Sequence, residues 1–174
     1  MKKNLVILTI LVLVLALTMS LTACGELSIT LDEMHNLISY TTSSNEVNRK
    51  LSVQVKSGET LVYENINDVG SDKFDVGLDT ISFGKLTGYG LVLQSDKVTN
   101  EKITYSEDRT EATYFSVIAN PQETLGIDCA NAKVTSIAKL DKKEDPKLIS
   151  TTVEYDQSFN GTNFHTVVIV EMVY

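Results

Sequence analysis

From Leu51 onward, apolar and polar residues alternate in short runs separated by turn residues. "LSVQVKS" (51–57) and "ETLVYEN" (59–65) flank Gly58 and predict a hairpin, because side chains on a strand point to opposite faces with a period of two. "KFDVGLD" (73–79) places Phe74, Val76 and Leu78 on one side. Ile81 and Phe83 fall on the opposite parity, which predicts a bulge or bend near Asp79-Thr80. "YGLVLQS", "EKITYSE", "ATYFSVIA" and "AKVTSIAKL" supply further strand candidates.

The strongest signal is the last one, "LISTTVEYDQSF-NG-TNFHTVVIVEMVY". Asn-Gly suits a two-residue turn in which both positions take positive φ. With Phe159 opposite Thr162, Ile149, Thr151, Val153 and Tyr155 share a face with Met172, Val170, Val168 and Thr166. The same register sets Asp156 opposite His165. Because Val167 to Val170 is apolar on both faces, this last strand should be central or covered on both sides; an exposed edge of that composition invites aggregation. The pattern predicts a mainly β fold, an antiparallel β-sandwich or partly open barrel.

Ahead of the strands the period changes. "Thr30-Leu31-Asp32-Glu33" fits a capping box, and Met34, Leu37 and Ile38 follow at helical spacing. These predict one short N-terminal helix from about Leu31 to Tyr40.

Before the helix, Lys2 and Lys3 precede an apolar run from Leu5 to Leu17 that only Thr9 interrupts. A basic start, a short apolar run and small residues make a secretory signal peptide. The run falls short of the roughly 20 residues that span a bilayer. Leu21-Thr22-Ala23-Cys24, followed by Gly25, resembles the lipobox of bacterial lipoproteins. The resemblance covers about the first 25 residues and implies diacylglycerol on the Cys24 thiol and cleavage before it. Residues 1–23 then form a cleaved signal peptide, 24–30 a lipidated N-terminus with a short linker, and 31–174 a single mostly β domain. The stretch from Gly25 to Ile29 extends to only about 17 Å, so the domain should ride close to the headgroups.

Of 174 residues, 23 precede Cys24, leaving 151, enough to bury a core in one domain. Removing Lys2 and Lys3 leaves 13 basic residues against 23 acidic ones, a formal charge of −10. Such a body repels phosphates, which argues against nucleic acid as a partner and against broad contact with anionic lipid. A cationic peptide is compatible with it. With Cys24 acylated, Cys129 has no disulfide partner; beside Asp128 it reads as a small buried hydrophobe rather than a reactive thiol.

Candidate chemistry is sparse. Asp156 and His165 form a possible pH-sensitive pair, since a carboxylate favours the charged imidazole. The same pair reads more simply as a solvated cross-strand contact. His35, on the helix beside Met34, reads as a surface residue. Asp68, Asp72, Asp75 and Asp79 offer oxygen ligands of the kind Ca²⁺ takes, but their spacing departs from the EF-hand loop, and alternation already puts Asp75 and Asp79 on a solvent face. The chain has no glycine-rich phosphate loop, no HExxH and no G-x-S-x-G. With no tryptophan to form a sugar platform, paired-carboxylate hydrolysis is the weaker reading.

These readings favour a non-catalytic lipoprotein, with no cofactor beyond its acyl anchor, on the outer face of a bacterial, Gram-positive-type cell membrane. It would bind a peptide, protein or envelope component, with interception of cationic peptides by an immunity-type lipoprotein as a specific form. The alternative is a structural or assembly subunit whose sheet edge pairs with a partner strand; a calcium-binding or hydrolytic domain is the remainder.

Overall fold

The computed structural model describes residues 27–44, 46–70, 95–125 and 128–174. Among these residues seven strands, β1 (Asn48–Ser57), β2 (Thr60–Gly70), β3 (Val98–Tyr105), β4 (Glu111–Ile118), β5 (Ala132–Lys139), β6 (Lys147–Phe159) and β7 (Thr162–Val173), form one antiparallel sheet. Its order is β2-β1-β7-β6-β5-β4-β3. Every neighbouring pair but one is consecutive in sequence. The exception, β1 with β7, ties the first hairpin to the last. The mainly β, antiparallel fold expected from the alternation is therefore present, as one sheet that does not close into a barrel.

Turn chemistry accounts for the tightest connections. Asn160 and Gly161 take φ of 49° and 79°, and Phe159 pairs with Thr162. Gly58 takes a φ of 57° between β1 and β2, a conformation that costs glycine nothing because it has no Cβ. The Asn-Gly turn sets the whole β6–β7 register, including Val153 opposite Val168 and Asp156 opposite His165. β7 lies between β1 and β6, the central position that its doubly apolar sequence requires.

The alternation sorts the side chains onto two faces. On the inner face, Leu51, Val53, Val55, Val134, Val153 and Val168 are all fully buried. Between them, on the outer face, Ser52, Gln54, Thr135, Thr152, Val167 and Ile169 remain half-exposed. One expected member of the inner set is displaced. Ile137 pairs with Ser150 but Ala138 with Leu148, so the bulge leaves Ile149 without a partner. Leu148 takes the inner place at 0 % exposure, and Ile149 is 38 % exposed. An extra residue on one strand inverts the side-chain parity beyond it.

The helix α1 (Leu31–Ser43) lies on the inner face. It carries the capping box expected from sequence: Glu33 N–H donates to Thr30 Oγ1, and Thr30 N–H donates to the Glu33 carboxylate at 2.8 Å. These bonds hold the Glu33 carboxyl below its ordinary range. The helix runs three residues past the expected Tyr40. Its apolar stripe continues into the buried Thr41 and Thr42, and Thr42 Oγ1 donates back to the Ile38 carbonyl.

Contacts at the two ends of α1 give its direction. Ile29, just before it, bonds Tyr105 on β3; Thr42, near its end, accepts from Arg49 on β1. Five inter-strand steps separate β3 from β1, about 24 Å at ordinary sheet spacing. A 13-residue helix is about 20 Å long. The helix thus crosses the strands and braces most of the sheet's width. Met34 and Ile38, both at 0 % exposure, anchor it, each worth about 1.5–3 kcal/mol by burial alone. A second, one-turn helix, α2 (Pro121–Thr124), starts at Pro121 behind Asn120; Pro121 and Leu125 are buried there.

Candidate functional site

Two histidine–carboxylate pairs stand on opposite faces of the sheet. The inner one corrects the surface placement expected for His35, which is 8 % exposed. Because α1 crosses the strands, the buried stripe is wider than the Met34-Leu37-Ile38 ridge and takes in the position after Met34. Burial is tolerated because the ring finds polar partners. His35 Nε2 lies 2.5 Å from Glu101 Oε2 on β3 and 3.1 Å from the Tyr114 hydroxyl on β4. The Tyr114 hydroxyl also donates to Glu101 Oε2, at 3.1 Å, closing a triangle. The His35 and Tyr114 rings meet edge to face with centroids 5.5 Å apart.

Glu101 reaches this position through an irregularity in β3. The register with β4 jumps between Thr99 and Lys102, and Asn100 takes a φ of 56°. Burial pushes the fully enclosed Tyr114 hydroxyl far above its ordinary range, so it remains a proton donor. The triangle joins the helix to β3, which ends the described sheet, and is mostly buried, with the Glu101 side chain 19 % exposed. No sequence motif marks it: 66 residues separate His35 from Glu101, and 79 separate it from Tyr114.

The outer pair is the one the Asn-Gly register places together. His165 Nδ1 lies 2.9 Å from Asp156 Oδ1, with side chains 43 % and 82 % exposed. Nearby, Gln157 Nε2 donates to the Asp128 carbonyl, which brings the 128–131 segment against the end of β6. Cys129, half-buried there, is pushed up to about 11, first by burial and then by Asp128 and Asp156. A thiol held neutral at physiological pH is a poor nucleophile.

The rest of the outer face forms cross-strand rows. Ser52, Ile169, Thr152, Thr135 and Phe115 lie in one register row from β1 to β4. Ile66 extends it on β2, 55 % exposed. The Lys102 ammonium sits 5.2 Å from the Phe115 ring centre, and Gln54 Nε2 donates to Glu64 at 2.8 Å. β-branched and aromatic groups alternating with amides, hydroxyls and scattered charges make a surface that can take an extended or amphipathic partner.

The remaining sequence candidates divide by position. Asp68 lies on β2 opposite Lys50. Cys24, Asp72, Asp75 and Asp79 lie outside the described residues, as do the strand candidates at 73–79 and 89–94 and the bend at Asp79-Thr80. Among the described residues, no group of three or more His, Cys, Asp or Glu side chains is arranged to hold a metal ion. Among them also, no helix is long and apolar enough to cross a membrane. No protein-family model matches the chain, and searches of curated proteins and of solved structures return no significant match.

Proposed function

We propose that the chain is a lipid-anchored, extracytoplasmic binding protein, held by Cys24 on the outer face of a bacterial cell membrane. Its work is non-catalytic recognition of a peptide, protein or envelope component. The observation that carries this reading is the two-sided sheet. One face is buried, with α1 lying on it, and the other presents the half-exposed row through Ile169, Thr152, Thr135 and Phe115. Both histidines support a structural rather than a catalytic use: His35 is enclosed by Glu101 and Tyr114, and His165 sits in a solvated cross-strand pair.

Interception of cationic peptides is the specific form that the acidic balance favours. Titrating the purified protein with an amphipathic cationic peptide at two salt concentrations tests it. Binding that weakens as salt rises is expected; failure to bind at either concentration removes the interception form. A second reading, an assembly subunit paired through a strand edge, is favoured by β2. This strand ends the described sheet and exposes Leu61, Val62 and Ile66 at 47 %, 50 % and 55 %. Co-purification of a stoichiometric partner that a Val62→Pro change releases supports that reading over the first.

A further inference from the structure

The strand registers define two ends of the sheet. Asn48 opposes Val173, Lys139 opposes both Lys147 and Glu111, and Ala112 opposes Tyr105, so these positions line one end. The turns at Gly58 and at Asn160-Gly161 lie at the other. The chain enters the fold at the Tyr105 end. Both backbone groups of Ile29 bond the Tyr105 hydroxyl, N–H to oxygen at 3.3 Å and O–H to carbonyl at 3.0 Å. That hydroxyl is a fixed mooring for the segment leading back to Cys24.

Reach then decides orientation. The five residues from Cys24 to Ile29 span at most about 17 Å, whereas the 13 residues of β6 run about 40 Å. An acyl chain on Cys24 therefore keeps the Tyr105 end beside the headgroups and leaves the Asn160-Gly161 end distant.

The side chains at the near end suit that placement. Tyr40 is 67 % exposed, Tyr174 64 % and Val173 50 %. The end of α1 that carries Tyr40 reaches the same end of the sheet: the Thr42 carbonyl accepts from Arg49 near the start of β1, and Tyr174, whose hydroxyl donates to the Leu148 carbonyl at 2.9 Å, interacts with Thr41. Tyrosines with an apolar ring and a polar tip are enriched where headgroups meet hydrocarbon. The loops at this end mix Glu107, Asp108, Asp141, Glu144 and Asp145 with Arg109, Lys142 and Lys143, five acids against three bases, so the contact is aromatic and apolar rather than an attraction to anionic lipid.

We infer that the end bearing Tyr40, Val173 and Tyr174 rests on the bilayer surface, so that the outer sheet face stands upright and the Asp156–His165 end points away. This rests on the lipid-anchor reading above. It makes the domain a post rather than a plate, with its recognition rows open to partners arriving from outside.

The absence of tryptophan makes the test clean. Single-tryptophan versions of the full chain, Tyr40→Trp, Tyr174→Trp and Thr162→Trp, are expressed, purified in acylated form and reconstituted into phosphatidylcholine vesicles with brominated acyl chains. All three positions are exposed, and circular dichroism checks that each variant folds. The Tyr40→Trp and Tyr174→Trp proteins are expected to lose most of their emission and shift to the blue, with Thr162→Trp unchanged. Unquenched probes at positions 40 and 174, or quenching at 162 instead, overturn the orientation. The mass of the N-terminal peptide is read on the same samples. An unacylated peptide overturns the anchor itself, whereas an acylated one with unquenched probes overturns the orientation alone.

Discussion

The two faces of this sheet are built from the same strands by the same alternation, yet they do different work. On the inner face, Val153, Val168 and Leu51 are fully or nearly fully buried, and some polar groups there are bonded: Ser136 to Thr151 at 2.9 Å, His35 to Glu101 and Tyr114. On the outer face their sequence neighbours Thr152, Val167 and Ile169 stay half in water. A histidine–carboxylate pair occurs on each. The inner pair fixes the helix to β3; the outer pair merely faces across a hairpin. Burial, rather than the identity of the partners, decides what such a pair contributes.

Replacing the inner histidine should separate the faces most sharply. His35→Ala leaves Glu101 and the Tyr114 hydroxyl facing a gap, and breaking an enclosed pair costs about 3–5 kcal/mol. Because the Glu101 side chain is still 19 % exposed, the loss here should be about 2–3 kcal/mol, measured as a fall in the urea midpoint. A loss under about 0.5 kcal/mol would put His35 in water.

Next in size is the thiol beside the outer pair. A folded value of about 11 against an ordinary 9.0 leaves about 100-fold less thiolate at pH 8, so alkylation of Cys129 should be about 100-fold slower in the folded protein than in urea. The folded value is the raised one, so the associated stability is intact below pH 9 and lost as pH rises through about 11. Urea midpoints of the wild type should therefore decline across that window more steeply than those of Cys129→Ser. The buried Tyr114 and Tyr155 hydroxyls, also raised, act in the same direction at higher pH.

The turn ranks third. Gly161→Ala forces a Cβ into a φ of 79°, at a cost of about 1–2 kcal/mol, although no atom lies within 4 Å of that Cβ. The outer pair ranks last. His165→Ala and Ile169→Thr should each change stability by less than about 0.5 kcal/mol, while Ile169→Thr weakens partner binding. An outer substitution as costly as His35→Ala would mean that this face is covered.

What was legible in the sequence follows from how local each signal is. The Asn160-Gly161 turn, the capping box of Thr30 and Glu33 and the alternation within each strand all act over a few residues. So does the approach of Asp156 to His165, because one turn sets their register. The β1–β7 closure and the crossing of α1 depend on contacts between distant segments, so the burial of His35 had no local mark. The bulge that turns out Ile149 depends on the count of residues on β5, not on β6 alone. Cys129 was read as a small enclosed hydrophobe and is half-buried; its raised thiol pKa was foreshadowed by Asp128 next to it, but the approach of Asp156 was not.

One measurement bears on the claim that gives both faces their setting. Intact-mass and peptide analysis of the protein extracted from cell membranes should find Cys24 as the first residue, carrying a diacylglyceryl group. A mature chain that starts elsewhere, or whose Cys24 bears no lipid, would contradict the account.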